Sequence, residues 1–264
     1  MKKPLLFLAL ALGCASGANA QFGKLGNIKL NDKAVSAAGK GLKAMTFSSE
    51  EAAQLAHEGV EYMDTHNKVA PAGNAYAKRL EKIFGKHKNE DGLNLNYKVY
   101  MVSDINAFAC ADGSVRVFSA LMDLMTDDEL LAVIGHEIGH VKNNDSRDAV
   151  RDAYKRAAFS EAASSQSDAV AKLSDSQLGD FTNALLSSRY SRKQESAADK
   201  YSYEFLKRNG YDVMAEASAF RKLAALSGGA KQSNSQKMMS SHPDSEDRAA
   251  AVEKWAKKDG LAKE

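Results

Sequence analysis

Apolar residues recur at helical spacing from Thr126 to Asn144, where Leu130, Leu131, Val133, Ile134, Ile138 and Val141 follow one another without a proline. Thr126 and Glu129 stand at the spacing of a capping box, so the stretch is predicted as a buried helix with a defined start. The same spacing, Ser48 to Glu51, opens a helix running to about His66, and Pro71 separates it from another, Asn74 to about Phe84, that ends near Gly85. The period then shortens to two. Tyr97 to Val102 reads as a strand, and Ala107–Cys110 and Val115–Phe118 flank Asp112-Gly113, a strong hairpin signal. A small antiparallel sheet is therefore expected directly before the long helix. Ala157 to Ser188 is polar and alanine-rich and reads as a partly helical, solvated connection. Further helices are expected from Ser191 to Gly210, from Tyr211 to Leu226 with Met214, Phe220 and Leu223 in the core, and through Trp255 in the charged tail.

The first twenty residues, MKKPLLFLALALGCASGANA, carry two lysines, an apolar run from Leu5 to Leu12, and small residues. This is the pattern of a secretory signal, too short for a membrane-spanning helix. Ala18-Asn19-Ala20 offers a cleavage site that leaves Gln21 first, the favoured reading; Ala11 to Cys14 resembles a lipobox, whose lipidated Cys14 would anchor the chain to the outer membrane. Either way the mature chain lies beyond the inner membrane, in the periplasm or attached to the outer membrane, with membrane contact only through Cys14. The expected organisation is a signal peptide over 1–20, a poorly ordered lead-in over 21–46, and one domain over 47–264. With 36 Lys and Arg against 34 Asp and Glu there is no electrostatic case for nucleic acid. Cys14 and Cys110 are the two cysteines, and Cys110 reads as a small buried strand residue.

Chemistry enters on the long helix. His136 and His140, four apart, lie on one helical face and can converge on one ion, with Glu137 beside them: the H-E-x-x-H pattern of zinc hydrolases. Two imidazoles on an apolar face are costly to bury unless something satisfies both. Gly135 and Gly139 weaken the helix by about 1 kcal/mol each relative to alanine, which close approach of another backbone would explain. A catalytic zinc keeps three protein ligands and one open position. The extended metzincin pattern is closed, because Asn143 and Ser146 stand where it needs glycine and histidine. Glu195 is the best remaining candidate, on a separate helix with Asp199 one turn further along, placed to accept a hydrogen bond from a ligand histidine. By itself such an acidic pair is usually a solvated face. His57, His66 and His87 have no ligand spacing to one another and read as surface residues.

The ordered set of NAFA at Asn106–Ala109, HEIGH at His136–His140, SRKQESAAD at Ser191–Asp199 and SHPDSEDR at Ser241–Arg248 resembles the metallopeptidase family of HtpX, BepA and LoiP, family forty-eight, and within it most the periplasmic LoiP type. The likeness spans about Ala72 to Arg248; Ala197 departs from the family's usual glutamate at a position with no ligand role. The resemblance implies a predominantly helical α+β gluzincin fold with a small sheet packed beside the zinc helix. It also implies one zinc per subunit on His136, His140 and Glu195, Glu137 as catalytic base, and Asp199 in support.

The function expected is zinc-dependent endopeptidase action in the bacterial envelope on unfolded or misassembled envelope proteins, possible partners being an outer-membrane assembly machine or another protease. Asn106, Ala107, Phe108 and Ala109 form the candidate edge for main-chain pairing with substrate, unless the hairpin merely covers the core. His242 is the candidate oxyanion donor with Arg248 orienting its loop, and reads equally as a structural turn, a fourth ligand or a plug over the metal. The rival class is an envelope chaperone or assembly factor whose zinc site is closed and structural.

Overall fold

The structure, a computed structural model, describes residues 48–160, 173–227, 242 and 245–262. The expected signal peptide, lead-in and Cys14 lie outside the described residues. Two capped helices open the fold. In α1 (Ser49–His66) the Ser48 hydroxyl accepts from the Glu51 amide at 3.1 Å while the Glu51 carboxylate accepts from the Ser48 amide at 2.8 Å. Helix α2 (Ala75–Phe84) starts on Asn74. A short 3-10 turn leads into a two-stranded hairpin, β1 (Asn89–Glu90) and β2 (Leu93–Asn94), turned by Asp91 and Gly92 at φ of 49° and 81°. This Asp-Gly turn is itself a hairpin signal, outside the strands expected from the period of two.

The hairpin buries a residue expected on the surface. His87 is 4% exposed, its Nδ1 2.8 Å from Glu90 and its Nε2 2.8 Å from the Tyr211 hydroxyl. The tight turn folds Glu90 back onto the imidazole, and Phe84 and Phe205 close over the ring. His57 and His66 are exposed, as expected.

The main sheet contains β3 (Asn96–Tyr100), β4 (Ala107–Ala109) and β5 (Ser114–Phe118), in the order β3-β5-β4. The Asp112-Gly113 hairpin joins β4 and β5 antiparallel, and Gly113, at φ 85°, passes so close to the Asn94 carbonyl that a Cβ would collide with it. Strand β3, however, pairs parallel to β5, so the sheet is mixed where an antiparallel one was expected. The hairpin returns β5, buried at every position, to the middle of the sheet beside β3 and running the same way.

Alternation along the strands separates two cores. Val99, Val115, Val117, Ala107 and Ala109 share one cluster with the helices Asp127–Lys142, Arg192–Arg208, Met214–Ser227 and Ser245–Lys258, while Tyr100, Phe108, Cys110 and Phe118 face α1 and the helices Asp145–Ser160 and Asp175–Leu186. Cys110 is a free, buried thiol, as expected, and burial pushes its pKa up.

Arg116 is the exception on the second face. It is 2% exposed, and its guanidinium donates to both Asp64 oxygens at 2.8 and 2.9 Å; Tyr100 and Lys98 donate to the same carboxylate. Burial raises the Asp64 carboxyl, but these donors win and bring it from 3.8 to about 2. A depressed carboxylate contributes stability that is complete above its unfolded pKa and lost as pH falls through its folded one. Asp64→Asn should therefore cost about 3 kcal/mol at neutral pH, since Arg116 is left buried and unpaired. In urea melts followed by circular dichroism, the gap between parent and variant should be constant above pH 4 and close toward pH 2. A gap that persists at pH 2 would show that the charge of Asp64 is not its source.

The remaining helices build the site. They are α3 (Ser119–Leu124), α4 (Asp127–Lys142), α5 (Asp145–Ser160), α6 (Asp175–Leu186), α7 (Arg192–Arg208), α8 (Met214–Ser227) and α9 (Ser245–Lys258). Capping boxes start α4 at Thr126 with Glu129, α6 at Ser174 with Gln177 and α7 at Ser191 with Gln194. Helix α4 is buried from Glu129 to His140 and packs against α7, α8 and β4.

Candidate metal centre

Helix α4 sets His136 and His140 one turn apart, their Nε2 atoms 3.0 Å from each other. Helix α7 lies across them at unusually short range. A Cβ on Gly139 would sit 2.9 Å from Ala198 Cα and 3.0 Å from its carbonyl oxygen, and one on Gly135 would sit 3.2 Å from Ser202 Oγ. Ser202 Oγ also donates to the Ala132 carbonyl at 2.8 Å, tying the two helices together. The glycines thus permit the close approach that the sequence pointed to, and it brings Glu195 to the histidines: Oε1 is 3.4 Å from His140 Nε2 and Oε2 is 3.6 Å from His136 Nε2.

His242 joins this group. Its Nδ1 is 3.2 Å from His136 Nε2 and 2.9 Å from Glu195 Oε1, while its Nε2 lies 3.5 Å from Glu137 Oε1. All four side chains are buried, and their candidate ligand atoms lie within 4.8 Å of one another.

A second layer orients the first. His136 Nδ1 is 2.8 Å from Asp199 Oδ1, and His140 Nδ1 is 3.0 Å from Asp145 Oδ2. Asp145 is held in turn by Gln194 at 2.9 Å. Arg248 donates to both Asp199 oxygens at 2.6 and 2.9 Å, and its Nη1 lies 2.7 Å from Glu195 Oε2. The Arg248 guanidinium is packed on the Phe220 ring, 4.1 Å from its centroid.

This donor set fits a zinc ion. A carboxylate facing each Nδ1 selects the tautomer whose Nε2 carries a lone pair, so two imidazole lone pairs and the Glu195 carboxylate converge in one buried space. Acceptors facing acceptors away from water are repulsive unless a cation lies between them. The electrostatics favour a positive charge in this space. Burial opposes charge on His140, yet Asp145 and Glu195 push its pKa up to about 9. Burial would raise Glu195, but His140 and His242 hold it far below the usual carboxylate range. His136 is pushed down by burial and by Arg248, and a cation bound here would displace the proton that His140 holds.

Three contributors were not singled out in the sequence. Asp145 reaches His140 because Asn144 takes a left-handed conformation, φ 64°, between α4 and α5; the Asn143-Asn144 pair was the available signal. Tyr190 stacks on the His140 ring at 3.8 Å and 16°, just before the Ser191 cap. Ser146, at the position that excludes the metzincin pattern, donates to the Ala109 carbonyl at 3.2 Å and so fixes β4 against α5.

The cleft beside the four donors is lined by Glu137, Tyr190, His242, Leu185 and Leu186, with Asn106 to Ala109 along one side. Asn106 caps the strand, its carbonyl accepting from Phe118 and its side-chain oxygen from Ala107. The antiparallel register turns the Ala107 carbonyl and the Ala109 amide away from β5. Glu137 is buried in the same cleft, and its Oε1 has no hydrogen-bond partner among the described residues.

Residues 74–256 match the model of peptidase family M48. The chain is 40% identical over 253 residues to metalloprotease YcaL of Escherichia coli (strain K12), covering 96% of this chain and 97% of that protein. It is 39% identical over 228 residues to metalloprotease LoiP of the same strain, covering 86% and 89%. A protease HtpX homolog of Sulfurovum sp. (strain NBC37-1) is 34% identical over 87 residues, 31% of each chain. With a family match over most of its length, and a buried His-His-Glu-His group on the helices that the family motifs occupy, the chain belongs to peptidase family M48 and is a metalloprotease.

Proposed function

We propose that this metalloprotease is a zinc endopeptidase of the bacterial cell envelope, one ion per chain, cutting extended segments of unfolded or misassembled envelope proteins. The observation that carries the chemistry is Glu137: a buried carboxylate oxygen without a hydrogen-bond partner among the described residues, between the histidine pair and an open strand edge. A structural zinc site has no use for such a group. The signal-like N-terminus supports the envelope setting, and among the described residues no helix is long and apolar enough to cross a membrane.

His136, His140 and Glu195 would hold the zinc. When bound, it supplies Lewis acidity to the scissile carbonyl and lowers the pKa of water toward about 7. Asp199 and Asp145 keep the Nδ1 protons in place and both Nε2 lone pairs turned inward. A substrate strand pairs with the Ala107 carbonyl and the Ala109 amide, which aligns its scissile bond along the cleft. Glu137 Oε1 accepts the proton of the water that attacks the carbonyl carbon, then delivers it to the amide nitrogen as the C–N bond breaks.

His242 stands among the donors as a fourth candidate ligand, and the cleft beside it has a volume of about 30 Å³. With all four side chains on an ion no position would be left open for substrate, so entry would require His242 to leave. The test is casein cleavage by zinc-loaded mature protein and by His242→Ala. Chelation should stop cleavage and zinc restore it, and the variant should cut about tenfold faster, the effect of freeing a site otherwise about 90% closed. Loss of cleavage in a variant that retains zinc would instead make His242 the donor to the oxyanion. The four-donor set also favours a second reading, a chaperone or assembly factor with structural zinc. That reading stands if neither protein cuts casein while both hold zinc.

A further inference from the structure

The strand order β3-β5-β4 leaves two edges, and the cleft with Glu137 and His242 lies beside β4. The opposite edge borders a groove of about 700 Å³ between β3 and α2. Its apolar lining includes Val69, Ala70, Leu80 and Val99, and four lysines border it: Lys78 and Lys82 one turn apart on α2, Lys88 before the small hairpin, and Lys98 on β3 itself. All four lysines are exposed.

The backbone along this groove is open. The Asn96 amide donates to Gly113, which sets the alternation of the parallel ladder: Asn96, Lys98 and Tyr100 bond β5, and Tyr97 and Val99 turn their polar groups outward. The Val99 carbonyl accepts from the Ala70 amide at 2.9 Å, and Met101 donates to Lys68, so the end of the edge is covered. The Tyr97 amide and carbonyl and the Val99 amide are bonded by no described residue. An incoming strand has these groups to pair with.

We propose that this outer edge of β3 is a second peptide-docking edge, taking an extended acidic segment of a partner protein that adds a strand beside Tyr97–Val99 under the four lysines. Charge selects the occupant. Glu81 is the one acidic residue among those lining the groove; it pairs with Lys88 at 3.0 Å, and both side chains are more than half exposed. Lys98 is held at 2.8 Å by Asp64, which is mostly buried, whereas Lys82 approaches Asp127 only to 3.8 Å. The exposed pairs of Lys88 and Lys82 are worth about 0–1 kcal/mol, so an arriving carboxylate competes with them. The chain's own lead-in fits poorly: Lys24, Lys29, Lys33, Lys40 and Lys43 face only Asp32 between residues 21 and 47. A second copy of the chain would set lysines against lysines. Lysines at a strand edge also discourage self-association, and the same charge that repels another copy attracts an acidic strand.

The test is fluorescence anisotropy with the zinc-loaded mature protein carrying Glu137→Gln and a labelled peptide of alternating Glu and Val, about seven residues long to span the strand. Binding should weaken about tenfold in Lys78→Glu/Lys82→Glu, whose substitutions are on the exposed face of α2, and should fall with added salt. It should be lost on N-methylating alternate amides of the peptide, absent for the peptide with Lys in place of Glu, and unchanged by removing zinc. Failure of the acidic peptide to bind, equal binding of the N-methylated or Lys peptide, or indifference to the double charge reversal would each overturn the proposal. The readout is binding, so the result stands apart from whether the metal site cuts peptides.

Discussion

Replacing Glu137 with Gln is expected to lower the rate of casein cleavage by about 10³-fold, within the range that general acid–base catalysis contributes, while zinc content and melting temperature stay at parental values. Gln keeps the shape of the side chain and an oxygen in place, but it cannot take a proton. Several features make the readout clean. Glu137 is buried, its Oε1 lacks a hydrogen-bond partner among the described residues, and that oxygen lies 3.5 Å from His242 Nε2. Removing its charge therefore breaks no hydrogen bond of Oε1 to a described residue. Measurement of kcat and KM on a peptide substrate, with zinc measured in the same samples, separates the outcomes. Loss in kcat at full zinc occupancy supports the proton-transfer role, whereas unimpaired cleavage would eliminate it.

The second large effect is on stability. Arg248 is 8% exposed and serves two buried carboxylates at once, Asp199 through two hydrogen bonds and Glu195 at 2.7 Å. Burial raises the Asp199 carboxyl, and His136 and Arg248 together bring it below its ordinary value. Glu216 is buried beside them, and burial and Asp199 push its carboxyl well up, against the pull of Arg248, so it holds its proton more tightly than Asp199 or Glu195. Arg248→Met keeps the packing against Phe220 but leaves these carboxylates without their cation. Breaking a buried pair in this way costs about 3–5 kcal/mol, which in a chain of this size lowers the melting temperature of the metal-free protein by roughly 6–20 °C. Zinc should recover part of the loss, because a divalent ion among His136, His140 and Glu195 supplies positive charge to the same carboxylates. Differential scanning calorimetry with and without zinc decides the matter. An unchanged melting temperature in the metal-free variant would mean that Arg248 is not what holds the site.

Much of this molecule was legible because its signals are local. A capping box needs only residues three apart, and those at Ser48 and Thr126 start α1 and α4 where the spacing placed them. H-E-x-x-H needs only one helical turn, so His136 and His140 face each other without help from the rest of the chain. The glycines at 135 and 139 announced that something comes close, and the ordered family motifs named α7 as the element and Glu195 as its contribution.

What remained belonged to the tertiary structure, where partners meet across long separations or across a turn whose conformation decides the outcome. Asp145 is only five residues from His140, yet it reaches the ring only because Asn144 is left-handed. His87 reads as polar surface until the small hairpin and Tyr211, more than a hundred residues away, enclose it. The parallel pairing of β3 with β5 depends on which strand takes the middle of the sheet, and strand periodicity carries faces but not order. His242 could be read as donor, ligand, turn or plug because nothing near it in sequence defines its distance from α4. The sequence by itself determined the chemistry of the centre, since residue type and helical spacing set which lone pairs can converge. Only the tertiary structure decided that a fourth donor joins them, since that depends on a side chain 106 residues from His136 being carried into van der Waals range.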